Sequence, residues 1–248
     1  MGYESEASRL LIGQITAPED AAAFMEVGRE AFGLDAADAV FTPRLLLAAR
    51  RNGGVAIGAW VDGEPAAFVF GFCGYAADVG FYHYSQVAAV QRRFQGHGVG
   101  RRLKYAQADQ ARALGLRLMR WYFDPMRSRN AHFNLNVLGV VVRSMEPNIF
   151  GPELHGRDTG YPSHRLVAEW DLTAGQRKPP VEVATEMATV AVPQDWDDYR
   201  TRRGDSAARA LLDQTCTDLE KAFSAGLQAV ELRRRNAEWS EYVLVRYS

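Results

Sequence analysis

Cysteine is scarce: Cys73 and Cys216 are the only two in 248 residues. Two cysteines make neither a disulfide framework nor a zinc site. Both stand in apolar surroundings that suit reduced thiols packed in a core. Histidine and cysteine show no ligand spacing, so no metal is expected. No run of about 18 apolar residues occurs, which excludes a transmembrane helix. The opening residues, MGYESEASRLLIG, lack a basic start followed by an apolar stretch, and Glu6 stands where myristoylation of Gly2 needs Ser or Thr. The cytoplasm is therefore the expected location, with no membrane partner. Neither sign of charge dominates: 29 Lys and Arg meet 30 Asp and Glu, for a formal net charge of −1. A domain built to grip nucleic acid would be strongly basic, so nucleic acid is not an expected partner. The basic run ELRRRNAE (Glu231–Glu238) lacks interleaved aromatics and reads as a solvated turn.

Apolar residues make up 47% of the chain and charged ones 24%, enough for a sizeable core. RLLIGQIT reads as a first strand. The next two segments read as helices: APEDAAAFMEVGREAFG carries acids at its start and glycine at its end, and TPRLLLAARRNGG offers Thr42 as a cap. Asp62-Gly63 between two apolar runs signals a hairpin. Tyr82–Val90 reads as a strand, Val99–Leu114 as a helix, LRLMRWYFDP as a strand and SRNAHFNLNVLG as a short helix capped by Ser128. Further strands follow, then TAGQRKPP as a linker, a helix spanning Ala208 to Phe223 and a terminal hairpin. This order predicts an α/β fold: a mixed sheet flanked by helices, with a C-terminal helix-plus-hairpin extension. The expected domains are residues 1–175 and 176–248. Residues 182–248 could complete the sheet, cover the active site or build a homodimer.

The stretch VQRRFQGHGVGRRL, Val90–Leu103, carries the chemistry. Glycines at 96, 98 and 100 join a strand to a helix. Unpaired amides at a helix start attract phosphate, and glycine lets a phosphate approach the backbone. Arg92, Arg93, Arg101 and Arg102 add positive charge. The P-loop needs Lys followed by Ser or Thr after its last glycine, and here Arg101 follows; the dinucleotide loop needs a G-x-G-x-x-G spacing, which is also missed.

Gln95-Gly96-His97-Gly98-Val99-Gly100 resembles the Q/R-x-x-G-x-G/A signature of the GNAT superfamily of acyl-CoA N-acyltransferases. The element order from Arg9 to Leu172 is similar as well, which implies that the mixed sheet is mostly antiparallel. The resemblance implies that backbone amides of Gln95, Gly96, His97, Gly98, Val99, Gly100 and Arg101 hold the diphosphate of coenzyme A. It implies that Val87, Ala88, Ala89 and Val90 bind the pantetheine arm as an added strand would. Asn130, with Ala131 and Leu138-Gly139, fits the superfamily's later segment and is an implied cofactor contact. The usual helix tyrosine, which reprotonates the leaving thiolate, is replaced by Leu135, so no general acid is assigned. FDPMRSRNAHFNLNVLG is similar to a subgroup of predicted acetyltransferases, some of whose relatives acylate free amino acids.

The implied reaction is attack of a neutral amine on a thioester, with an acetyl or succinyl group moving from acyl-CoA to a primary amine of a small molecule, an amino acid among the candidates. His83, on the strand leading into the loop, is the first candidate base and His132 the second; a packed or solvated histidine is the alternative for each. Asp124, Arg127, Arg129 and Arg143 are candidate substrate contacts, an arginine fork being suited to a carboxylate. Two alternatives stand beside this: a CoA-binding module without catalysis, and an acetyltransferase of protein lysines or N-termini.

Overall fold

The computed structural model describes residues 9–33, 42–153, 158–173 and 185–246. These form two compact units, one holding the described residues up to Met119 and the other those from Arg120 onward. The expected boundary near residue 175 and most of the TAGQRKPP linker lie outside the described residues.

The first unit is built on four antiparallel strands in the order β1-β2-β3-β4: β1 (Leu10–Gln14), β2 (Val55–Val61), β3 (Glu64–Ala76) and β4 (Gly80–Val90). Helices α1 (Pro18–Phe32) and α2 (Pro43–Arg51) cover one face and α3 (Val99–Ala113) the other. The α2 start is capped as its sequence suggests, Thr42 Oγ1 accepting from Leu45 N at 3.2 Å. The β2–β3 turn is the Asp62-Gly63 pair, both at positive φ (52° and 84°). Because β2 is covered on both sides, its side chains divide by parity. Ala56 packs with Phe24, Val27 and Leu46 of α1 and α2; Val55, Ile57 and Ala59 pack with Val99 and Leu103 of α3. A Cβ on Gly58 would lie 2.3 Å from Phe24 Cζ, so glycine there lets α1 settle on the sheet.

The second unit has strands in the order β5-β7-β6-β9-β10-β8. These are β5 (Leu118–Phe123, entering from the first unit), β6 (Val141–Glu146), β7 (Arg165–Asp171), β8 (Thr185–Pro193), β9 (Gln228–Arg234) and β10 (Trp239–Arg246). The helices are α4 (Ser128–His132), continued by a π-helical turn over Phe133–Leu138, α5 (Trp196–Arg203) and α6 (Asp205–Ser224). The C-terminal segment does extend a sheet: Ala229 of β9 pairs with Val142 of β6, and β9, β10 and β8 follow antiparallel. The α/β class with a mostly antiparallel sheet stands. Three local readings change. Cys73 is exposed, because β3 runs on past the helices, whereas Cys216 is buried on α6. Ser128 does not cap α4; its hydroxyl donates to the Pro193 carbonyl. Both β8 and α5 arise where sequence periodicity marks nothing.

Candidate acyl-carrier site

β4 delivers the site and is not a regular strand. Phe70 pairs with Val87, yet the next β3 residue, Gly71, pairs with Ser85, so Gln86 is one residue too many. A regular strand would send residues 83, 85, 87 and 89 to one face. With Gln86 inserted, Val87 and Ala89 join the α1 and α2 cluster, while His83 and Ser85 turn toward α3. Gly71 makes the turn possible: a Cβ there would sit 2.5 Å from His83 Nε2 and 2.5 Å from Tyr84 O.

Beyond the bulge, Gln91 N donates to Ala66 O at 2.9 Å, so Gln91 faces β3. The antiparallel pattern then directs the backbone groups of Val87 and Ala89 to β3 and those of Ala88 and Val90 to the far edge. Gln95 Nε2 donates to the Val90 carbonyl at 2.9 Å, which leaves Ala88 as the expected pantetheine contact with both backbone groups on that edge.

A single 3-10 turn, Arg92–Phe94, brings the chain to the glycines. Gly96 (φ 82°) and Gly98 (φ 79°) are left-handed, and a Cβ at either would meet nothing within 4 Å. Backbone conformation therefore requires glycine at both, and both border open space. Gly98 caps α3 without a side-chain hydrogen bond, and no acidic residue stands in the first turn. Arg101 and Arg102 lie there instead and are exposed. Cations at a helix start oppose its dipole, a cost that a bound anion offsets. Arg93 is held by Glu64 at 2.7 Å, and Arg101 lies over the Tyr105 ring at 5.5 Å. His97 is exposed, its Nδ1 3.0 Å from Gln95 O.

His83 is wholly buried, 0% exposed, under the strand and against α3. Burial, then the charge of Lys104, lowers its pKa to about 4. Lys104, Gln107 and Ser85 are buried with it. Lys104 Nζ lies 2.9 Å from Ser85 Oγ, 3.2 Å from Gln107 Oε1 and 3.5 Å from Met119 Sδ. Burial brings this lysine down to about 7. Sequence reading passed over Lys104, Gln107 and Ser85; their one signal is polar residues at positions of α3 and β4 whose neighbours are apolar.

The remaining expected residues fall in the second unit. Leu135, where a tyrosine was expected, is buried at 0% exposure. His132, Arg129 and Asn130 are exposed on α4. Arg127 is not a free fork: it binds Asp158 at 2.6 Å and Asp197 at 2.9 Å and lies 3.5 Å from Asp124. Asp158 also takes Arg200 at 2.8 Å. Asp124 Oδ1 accepts from Met126 N at 2.7 Å, so it caps a turn; burial, then the Asp158 charge, raises its pKa. Arg143 pairs with Glu169. Arg127 is thus held by carboxylates of its own unit, whereas Arg143 is half-exposed beside Glu169. Among the described residues no group of three His, Cys, Asp or Glu could hold a metal ion, and no helix is long and apolar enough to cross a membrane.

A bulged strand, left-handed glycines and an uncapped, arginine-flanked helix define an α/β domain suited to the diphosphate of a nucleotide-bearing carrier. Residues 22–133 match the acetyltransferase (GNAT) family. No curated protein matches the sequence. Among solved structures, yncA from Salmonella typhimurium, determined with its cofactor acetyl-CoA, is similar at a TM-score of 0.53 and 19% identity, over 69% of this chain and 98% of that one. An N-acetyltransferase from Staphylococcus aureus Mu50 gives 0.52 and 16%, over 66% and 99%. The ribosomal-protein-S18-alanine N-acetyltransferase from Escherichia coli gives 0.51 and 15%, over 66% and 94%. At such identities the likeness concerns the fold.

Proposed function

We propose that this chain moves an acyl group, acetyl or succinyl, from acyl-CoA to a primary amine of a small molecule, with amino acids the first acceptors to test. One observation carries the reading: Gly96 and Gly98 hold left-handed backbone before an α3 start that no side chain caps. Support for a diphosphate comes from the open space at Gly96 and Gly98, where an added Cβ would meet nothing within 4 Å, and from a first helical turn without a carboxylate. The residues assigned to the diphosphate are Gln95 to Arg101, through their amides; Ala88 is assigned to the pantetheine amides. The carrier supplies an activated thioester, and the remaining tasks fall to the protein. Gln86, which has no register partner on β3, is the residue whose amide is offered for a carbonyl oxygen. His83 is assigned the amine's proton, accepted at Nδ1 or through a water there.

Calorimetric titration with coenzyme A, paired with thiol release from acetyl-CoA and succinyl-CoA against a panel of amino acids, amines and peptides, tests the reading. Saturable CoA binding that Gly98→Asp abolishes, and acceptor-dependent thiol release, are the expected results. No CoA binding by the folded protein would refute it. The buried Leu135 in place of a tyrosine favours a second reading, a CoA-binding module without catalysis. Binding with no turnover on the whole panel would select that one, and turnover on peptides alone would select a protein-directed enzyme.

A further inference from the structure

The buried groups beneath β4 form one directional chain. Lys104 Nζ donates to Ser85 Oγ at 2.9 Å and to Gln107 Oε1 at 3.2 Å, and Ser85 Oγ donates to the same Oε1 at 3.0 Å. Two donors thereby hold the carbonyl end of the Gln107 carboxamide toward the lysine. Its nitrogen end lies 3.1 Å from His83 Nε2. A carboxamide nitrogen donates and never accepts, so Nε2 must accept. A neutral imidazole that accepts at Nε2 carries its proton on Nδ1. That nitrogen is buried and has no hydrogen-bond partner among the described residues. In this arrangement the proton occupies the one nitrogen through which His83 could act as a base.

The arrangement depends on the charge at Lys104. An ammonium has three protons and no lone pair, so it tolerates only an oxygen or sulfur opposite it. A neutral amine has a lone pair and can accept. The Gln107 carboxamide is then free to rotate by half a turn, its nitrogen donating toward Lys104 and Ser85 and its oxygen accepting from a proton on His83 Nε2. Lys104, Ser85, Gln107 and His83 Nε2 keep a partner in both arrangements, and His83 presents a lone pair at Nδ1 in the second. The balance is simple: Lys104 gives one proton to solvent, and His83 stays neutral while its proton changes nitrogen. His83 is the ionisable group that faces Lys104 from β4; β5 contributes Met119 Sδ at 3.5 Å, and α3 itself contributes Gln107.

We propose that Lys104 is a positioning residue that sets, through Gln107, which ring nitrogen of His83 bears the proton. The base is switched on by loss of the lysine's charge rather than by titration of the histidine. Use of that base in acyl transfer rests on the function proposed above; the switch itself does not.

Long-range proton–nitrogen correlation spectra of CoA-free protein report the tautomer directly, with His83 identified by loss of its signals in His83→Gln. The expected result is a proton on Nδ1 at pH 5.5 and on Nε2 at pH 9, with a midpoint near the lysine's value of about 7. Lys104→Arg, which keeps its charge, is expected to hold Nδ1–H through pH 9, and Lys104→Met to show Nε2–H throughout. If the arginine does not fold, Gln107→Leu serves: it breaks the relay, and the His83 tautomer should no longer follow pH. A wild-type tautomer that stays the same from pH 5.5 to 9, or a variant that switches as the wild type does, overturns the proposal. Thiol-release rates across the same pH range separate the two ideas. A switch without turnover on any acceptor removes the enzyme reading and leaves the switch, whereas turnover without a switch does the reverse.

Discussion

Replacing Lys104 by Met should change how stability depends on pH more than stability itself. Lys104 is 2% exposed, and burial lowers its pKa from 10.5 to about 7. Between those values the unfolded chain binds a proton that the folded chain does not. Stability therefore rises with pH across the window and is lost as pH falls toward 7. The slope is about 1.4 kcal/mol per pH unit, and the full displacement is worth ~5 kcal/mol as an upper bound. Methionine cannot titrate, so the variant lacks this slope. The lost bonds to Ser85 and Gln107 impose a penalty that does not vary with pH, because neither side chain titrates in this range. His83, at about 4, is neutral throughout the window. Urea unfolding followed by circular dichroism at pH 7, 8 and 9 should show the wild type gaining on Lys104→Met by roughly 2–3 kcal/mol. Parallel traces would refute the argument, since they would mean that Lys104 is charged in the fold or reaches solvent.

Gly98→Ala should fold with a loss of about 1–2 kcal/mol from its left-handed backbone alone, because a Cβ there meets nothing. Gly98→Asp adds a carboxylate beside the α3 amides and should weaken CoA binding at least tenfold beyond the alanine variant; equal affinities in a titration would contradict the diphosphate assignment. Gly71→Ala should cost about 3 kcal/mol, since the Tyr84 carbonyl at 2.5 Å is backbone and cannot rotate away; a melting temperature like the wild type's would show the bulge to be softer than argued. Arg127→Met removes the guanidinium that Asp124, Asp158 and Asp197 share, a loss of about 2–4 kcal/mol at pH 7.5 that shrinks toward pH 4.5 as Asp124, which burial holds above its ordinary value, takes up a proton. The same loss at both pH values would place their repulsion in error.

Local chemistry made part of this protein legible in one dimension. Gly96 and Gly98 next to arginines, at a change from strand to helix periodicity, mark an anion-binding turn because left-handed backbone and free amides are properties of a few consecutive residues. The Thr42 cap and the Asp62-Gly63 turn were legible for the same reason. Tertiary structure alone decided the rest. One residue inserted at Gln86 turns His83 and Ser85 away from the face shared by Val87 and Ala89, and a bulge leaves no mark on a pattern of alternating residues. Lys104 looks like any solvated helix lysine until the sheet closes over it, and Arg127 looks like a free fork until Asp158 and Asp197, distant in sequence, arrive beside it. Turns and caps are set by neighbours along the chain, whereas burial, and with it the charge a group can carry, is set by what the fold brings against it.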